Sequence, residues 1–448
     1  MNLIKNTTVT LCLAVVITVF LLTYSVEATS RNNYEAVVDN VIFMIPDGFS
    51  ASYATTYRIY KESEDLIFDP MLVGMVKTNS ANNWVTDSAA AATALATGYK
   101  TNNKMVSISP EGKPLETILE AAKIAGKATG LVATATVTHA TPAAFAAHVT
   151  SRDSQTEVAL QMIDKVDVIL GGGKRNFLPK SVGGLQQERN LIEELELKGY
   201  TYIENREDLL KLDAATNKLL GLFAEGPMSP ELDRNVKEEP SLANMTATAI
   251  STLSQNKDGF FLMVEGSQID WAGHAQDAAW AMKDVEAFEK AVEVALDFAR
   301  NDGRTLLVIV GDHDTGGMSV GGCDSYLSKA EILREVKATG KFMANKLSAK
   351  RRNAKEILKT YANIDLTKAQ VKRIKKAKDD EVADVINNII SEHAFVGWTT
   401  KVHSGVDVPI YAFGPTSERF TGLIDNTDIP KRMAHAMGIH FKDVIGSH

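Results

Sequence analysis

The chain has 448 residues, of which 45% are hydrophobic, 23% charged and 7% aromatic, and it carries a formal net charge of −8. That composition excludes a disordered chain, a collagen-like repeat and a polytopic membrane protein. A chain of this length builds a large core without covalent staples, and its acidic balance argues against a nucleic-acid reader.

Residues 1–28 read as a signal peptide. Lys5 supplies a positive start, residues 9–22 an apolar run, and Val26-Glu27-Ala28 the small residues at which a leader is cut. The expectation is an exported protein, periplasmic or secreted, with no stable membrane span after cleavage. Cys12 would leave with the leader, so Cys323 would have no intrachain partner.

Beyond the leader, short apolar runs alternate with helical patterns. The runs are 41–45, 130–135, 166–170, 260–264, 306–310 and 408–413. Strands this apolar are buried on both faces, as in a parallel sheet covered by helices. Helical patterns cover 88–96, 115–125, 242–253 and 276–299. The alternation predicts an α/β fold with a doubly wound, mainly parallel sheet flanked by helices. Residues 328–380 differ, with 16 Lys or Arg against 6 Asp or Glu. They read as a basic helical surface insertion or cap within a domain spanning 29–448. The face is either merely solvated or attractive to anions.

Metal-ligand residue types gather where the apolar runs end. Asp47 follows the first run, Glu265 the fourth and Asp312-His313 the fifth, while Asp270 and His274 lie just beyond Glu265 and His403 just before the last run. Taken singly, such residues cap turns or bond locally. Several acids and imidazoles at one end of a parallel sheet, where such folds bind ligands, point to metal. Mixed Asp and His ligands suit Zn²⁺, and an oxygen set suits Mg²⁺. Ser88 opens an alanine-rich helix behind Thr86-Asp87, where unpaired N–H groups favour an anion. Arg152 offers paired donors to a phosphate.

These residues resemble the alkaline phosphatases. The resemblance rests on Ile45-Pro46-Asp47-Gly48, Thr86-Asp87-Ser88-Ala89-Ala90, Ala140-Thr141-Pro142-Ala143-Ala144 and His148-Val149-Thr150-Ser151-Arg152. It continues through Val264-Glu265-Gly266, Ile269-Asp270 with His274, Gly311-Asp312-His313 and His403-Ser404-Gly405, all in the family's order. It implies two Zn²⁺ ions and one Mg²⁺. Asp270, His274 and His403 would hold the first zinc, and Asp47, Asp312 and His313 the second. Asp47, Thr141 and Glu265 would hold the magnesium. Ser88 would be the nucleophile and form a phosphoserine, and Arg152 would grip phosphate oxygens. The substrates implied are small phosphate monoesters, and a homodimer is an assembly the resemblance leaves open.

Two positions depart from the enteric bacterial form of the family. His139 stands where that form has Asp, and Trp271 where it has Lys, so both are candidate substrate-binding residues and the third ion's identity stays open. The nearest rival functions are a phosphodiesterase or a phosphonate or sulfate ester hydrolase of the same superfamily. A noncatalytic phosphate- or metal-binding protein would have lost its nucleophile or a ligand, and none is lost.

Overall fold

Val41 to Ile45 form the middle of a strand whose side chains alternate between two apolar layers. Ile42 and Met44 pack on one side of the sheet, and Val41, Phe43 and Ile45 on the other. The strand runs Asn40–Pro46 and is buried throughout. Burying such side chains on both faces contributes about 1.5–3 kcal/mol each, which is why a continuous apolar run, not an alternating one, marks it.

The computed structural model describes residues 37–63 and 65–441; the expected leader, 1–28, lies outside them. In chain order the strands are β1 (Asn40–Pro46), β2 (Leu72–Lys77), β3 (Ala128–Thr136), β4 (Val168–Gly172), β5 (Thr201–Ile203), β6 (Leu219–Leu222), β7 (Phe260–Gly266) and β8 (Thr305–Val310). Four two-residue strands follow: β9 (Asp314–Thr315), β10 (Ser319–Val320), β11 (Val396–Gly397) and β12 (His403–Ser404). The last are β13 (Val408–Phe413) and β14 (Gly422–Asp425). Ten of these form one sheet in the order β14-β2-β13-β8-β1-β7-β3-β4-β6-β5.

The sheet is parallel except at β13, which pairs antiparallel with both β8 and β2. Its apolar run was expected to join a parallel sheet like the others, but burial on both faces does not specify direction. The reversal matters for the site. A residue that precedes β13 lies at the same edge of the sheet as residues that follow β1, β7 and β8.

Helices cover both faces. Ser88–Thr97 is buried along its whole length, and its alanines pack with Ala140, Ala143 and Ala144 of the helix Ala140–Ala146. On the other face the 25-residue helix Ala278–Asp302 buries Val285, Phe288, Val292 and Leu296. Residues 328–380 fold as short helices that include Ala354–Ala362 and Lys368–Lys376. They bury Leu333, Leu358 and Ile374 in the main core and, Arg351 apart, turn their basic side chains outward. No helix among the described residues is long and apolar enough to cross a membrane.

Candidate active site

The turn after β1 brings the first two acids together. Gly48 has φ +78°, and a Cβ there would stand 2.8 Å from the Asp270 Cα and from Thr315 Oγ1. Only glycine allows that approach, so Asp47 and Asp270 become neighbours across the turn. Asp270 and His274 share one face of the helix Gln268–His274 because they are four residues apart. Asp312 and His313 follow β8, Glu265 is the next-to-last residue of β7, and His139 and Thr141 follow β3. His403 arrives ahead of the reversed β13. The structure brings every candidate residue to this one edge of the sheet.

Three groups of ligand atoms lie within 4.8 Å of one another: Asp270, His274 and His403; Asp47, Asp270 and His313; and Asp47, His139 and Glu265. Asp270 thus belongs to two groups, where the sequence reading gave it to one. In the first group the Nε2 atoms of His274 and His403 approach to 3.2 Å, and each lies 3.4 Å from an oxygen of Asp270. The opposite nitrogens are anchored to carbonyls, His274 Nδ1 to Lys401 at 2.7 Å and His403 Nδ1 to Thr86 at 2.8 Å. Rings that donate through Nδ1 present unprotonated Nε2 atoms to a common point, the arrangement of metal-ligating imidazoles. His313 stacks on His403 with centroids 3.6 Å apart, and its Nε2 lies 3.0 Å from Asp312 Oδ2 and 3.7 Å from Asp47 Oδ1.

Buried polar atoms without partners identify what is needed here. Asp47 Oδ1, both oxygens of Glu265 and His139 Nδ1 make no hydrogen bond, and each would cost a full desolvation penalty if left so. The acids repel one another. Burial, followed by the charges of Asp312, Asp270 and Glu265, pushes the Asp47 carboxyl well above its usual range. Burial pushes Glu265 up to about 8. Burial also opposes ionisation of Asp270, but hydrogen bonds with His274 and His403 hold it well below the usual carboxylate range. Bound cations would satisfy the orphaned atoms and restore the charged forms of the acids. The donor set fits metal.

Ser88 begins its helix at the mouth of these groups. Asp87 caps the helix, with Oδ1 accepting from Ala90 N at 3.0 Å, and Ser88 Oγ lies 3.1 Å from His313 Nε2. Asp87 Oδ2 accepts from Lys104 N at 3.0 Å and from Arg152 Nη1 at 3.1 Å, so the cap also orients the arginine. Arg152 Nη2 lies 3.1 Å from His139 Nε2, and His139 meets Trp271 edge to face at 5.6 Å. Thr141 Oγ1 donates to Asp47 Oδ2 at 3.3 Å. His148, part of a matched motif, stands apart, bonded to the Ser107 carbonyl and Glu120.

A family model of the alkaline phosphatases matches residues 38–439. The chain belongs to the alkaline phosphatase family. It is 44% identical to alkaline phosphatase 3 of Bacillus subtilis, with 93% of each chain covered. The crystal structure of a cold-active alkaline phosphatase from a psychrophilic Shewanella superposes with a TM-score of 0.81 at 35% identity, covering 88% of this chain and 98% of that one. A histidine-to-glutamate variant of the alkaline phosphatase from the Antarctic bacterium TAB5, with Mg bound in its M3 site, gives 0.69 at 27% identity, covering 90% and 99%. As an alkaline phosphatase, the chain is an enzyme that hydrolyses phosphate monoesters with the help of metal.

Two contributors were not identified from sequence. Thr315 Oγ1 donates to Asp270 Oδ1 and lies 3.3 Å from His313 Nδ1, tying two metal-ligand groups together. Tyr53 holds the Thr315 carbonyl at 2.6 Å. The Asp-His-Asp-Thr run places Thr315 next to candidate ligands, which is the only signal it offered.

Proposed function

We propose that residues 29–448 form one exported catalytic domain that hydrolyses small phosphate monoesters through a phosphoserine on Ser88. The observation that carries the reading is the position of Ser88 Oγ, 3.1 Å from His313 Nε2 and at the start of a helix beside three groups of candidate ligand atoms, among which Asp47, Glu265 and His139 have unsatisfied atoms. Asp270, His274 and His403 would hold one Zn²⁺, and Asp47, Asp312 and His313 a second. Asp47, Thr141 and Glu265, with His139 beside them, would hold a third ion. Mg²⁺ at that position draws support from the TAB5 variant. When bound, the ions supply positive charge that lowers hydroxyl and water pKa values and stabilises the departing oxygen.

The chain's own residues carry the rest. Arg152, oriented by Asp87, grips two nonbridging oxygens and aligns phosphorus with Ser88 Oγ. The serine oxygen bonds to phosphorus, the bond to the alcohol oxygen breaks, and the alcohol leaves. Water then cleaves the phosphoserine, releasing phosphate and restoring the hydroxyl. The residues hold the phosphoryl group, not the alcohol, so many alcohols are accepted.

The test combines substrate choice with labelling. p-Nitrophenyl phosphate should be cleaved far faster than bis-p-nitrophenyl phosphate or p-nitrophenyl sulfate, and ³²P trapped by acid should reside on Ser88. Ser88→Ala should lower kcat/KM about a thousandfold or more with the fold intact. Label on another residue, or preference for the diester or the sulfate, would overturn the assignment.

A further inference from the structure

Residues 328–380 carry a net charge of +10, which leaves −18 for the rest of a chain whose total is −8. The helix Lys368–Lys376 concentrates this charge. Its Lys368, Lys372, Lys375 and Lys376 are all exposed, whereas Ile374 is fully buried. At 3.6 residues per turn the four lysines fall within an arc of about 100°, opposite Ile374, along roughly 12 Å of helix.

None of the four side chains makes an ion pair, hydrogen bond or ring contact among the described residues. Nearby cations do: Arg373 pairs with Glu392 at 2.7 Å, Lys359 with Asp365 at 2.8 Å and Lys378 with Glu381 at 2.9 Å. Like charges four apart on a helix repel, and no acidic side chain among the described residues pairs with the row to offset that repulsion. The buried Arg351 donates to the carbonyls of Ile374 at 2.7 Å and Ala377 at 2.5 Å. That contact fixes exposed Lys350 and Arg352 at the same end of the row.

The partner's chemistry follows from what the helix lacks. Val371 packs on the core and Ile374 is buried, so no large apolar side chain on this helix is free to enter a bilayer. The helix has no aromatic residue on which bases could stack. A single file of strongly hydrated point charges suits a thread of repeating anions.

We propose that this lysine row is a docking surface for a linear polyanion of phosphate groups, which tethers the enzyme through a face separate from its catalytic residues. Long-chain inorganic polyphosphate, labelled with a fluorophore, is the probe. Inorganic phosphate is added in excess so that the catalytic site is filled. The wild type should bind at low salt and release steeply as salt rises. The variant Lys368→Gln/Lys372→Gln/Lys375→Gln/Lys376→Gln should bind at least tenfold more weakly, with a log–log salt slope shallower by about 3. Its kcat and KM for p-nitrophenyl phosphate should be unchanged, which also reports correct folding. Lys350→Gln/Arg352→Gln should give a smaller loss in the same direction, and it supplies a second variant if the first does not fold. Equal binding by wild type and variants, or no binding by the wild type at low salt, would overturn the proposal. Tighter, lysine-dependent binding to phosphatidylglycerol vesicles than to polyphosphate would replace the polymer with a membrane.

Discussion

His139 faces a choice that its ring cannot avoid. Nε2 lies 3.1 Å from a guanidinium nitrogen of Arg152, which only donates, so Nε2 accepts and Nδ1 holds the proton. Burial, followed by the Arg152 charge, holds this imidazole neutral, with its pKa down to about 4. Yet Nδ1 is buried and has no acceptor. If Nδ1 instead ligates an ion, the proton moves to Nε2 and the contact with Arg152 is lost. The ring therefore divides its service between Arg152 and the third group of candidate ligands, and Trp271 beside it adds no charge. Trp271→Lys combined with His139→Asp should lower the inhibition constant for phosphate about tenfold, the effect of one added charge-assisted hydrogen bond. It should also increase dependence on added Mg²⁺. Competitive inhibition by phosphate at fixed metal concentration checks this, and unchanged or weaker phosphate affinity would refute it.

Among the helices, Ile118–Ile124 supplies a pH-dependent element remote from the ligand groups. Thr117 and Glu120 form a capping box, and Glu120 also meets His148 at 2.9 Å and Lys165 at 2.7 Å. Burial works against its ionisation, but His148, Lys165 and the Thr117 N–H hold the carboxyl at about 2. Because the folded value is depressed, the stabilisation is present above the ordinary value of 4.5 and is lost as pH falls toward about 2. Glu120→Gln keeps the cap and removes the charge. It should destabilise by about 1–2 kcal/mol at pH 7, allowing for solvent screening, and the difference should shrink below pH 4.5. Chemical denaturation of both proteins across that window measures it. At the same scale, legibility followed burial. β1, β7 and β8 announced themselves because both faces are covered, whereas β14 at the sheet's edge and β2 beside it are partly exposed and without a clean apolar run. The site's residues were legible because each sits in a short local motif. Thr315 and the Asp87–Arg152 pair were not, because a contact between residues 45 or 65 apart leaves no local pattern.

Taken whole, the molecule gathers Asp47, Glu265, Asp270 and Asp312 where each is at most 3% exposed. Removing metal should therefore abolish activity and lower the melting temperature by about 5 °C, with Zn²⁺ plus Mg²⁺ restoring both. Calorimetry and assay before and after chelation check this; full activity in protein shown metal-free by elemental analysis would exclude a metal role. Cys323 is the one cysteine among the described residues and is exposed and free, so mild reductant should leave the midpoint unchanged. The reversed strand carries a consequence for how the enzyme comes into being. Among the described residues β2 pairs only with β13 and β14, so its place in the sheet waits for residues more than 300 positions later in the chain. His403 arrives just ahead of that same insertion. On a ribosome Ser88 is thus made early, and His403 and the strand that follows it come more than 300 positions later. On the proposed assignment, a nascent chain has no activity until both His403 and β13 have been made.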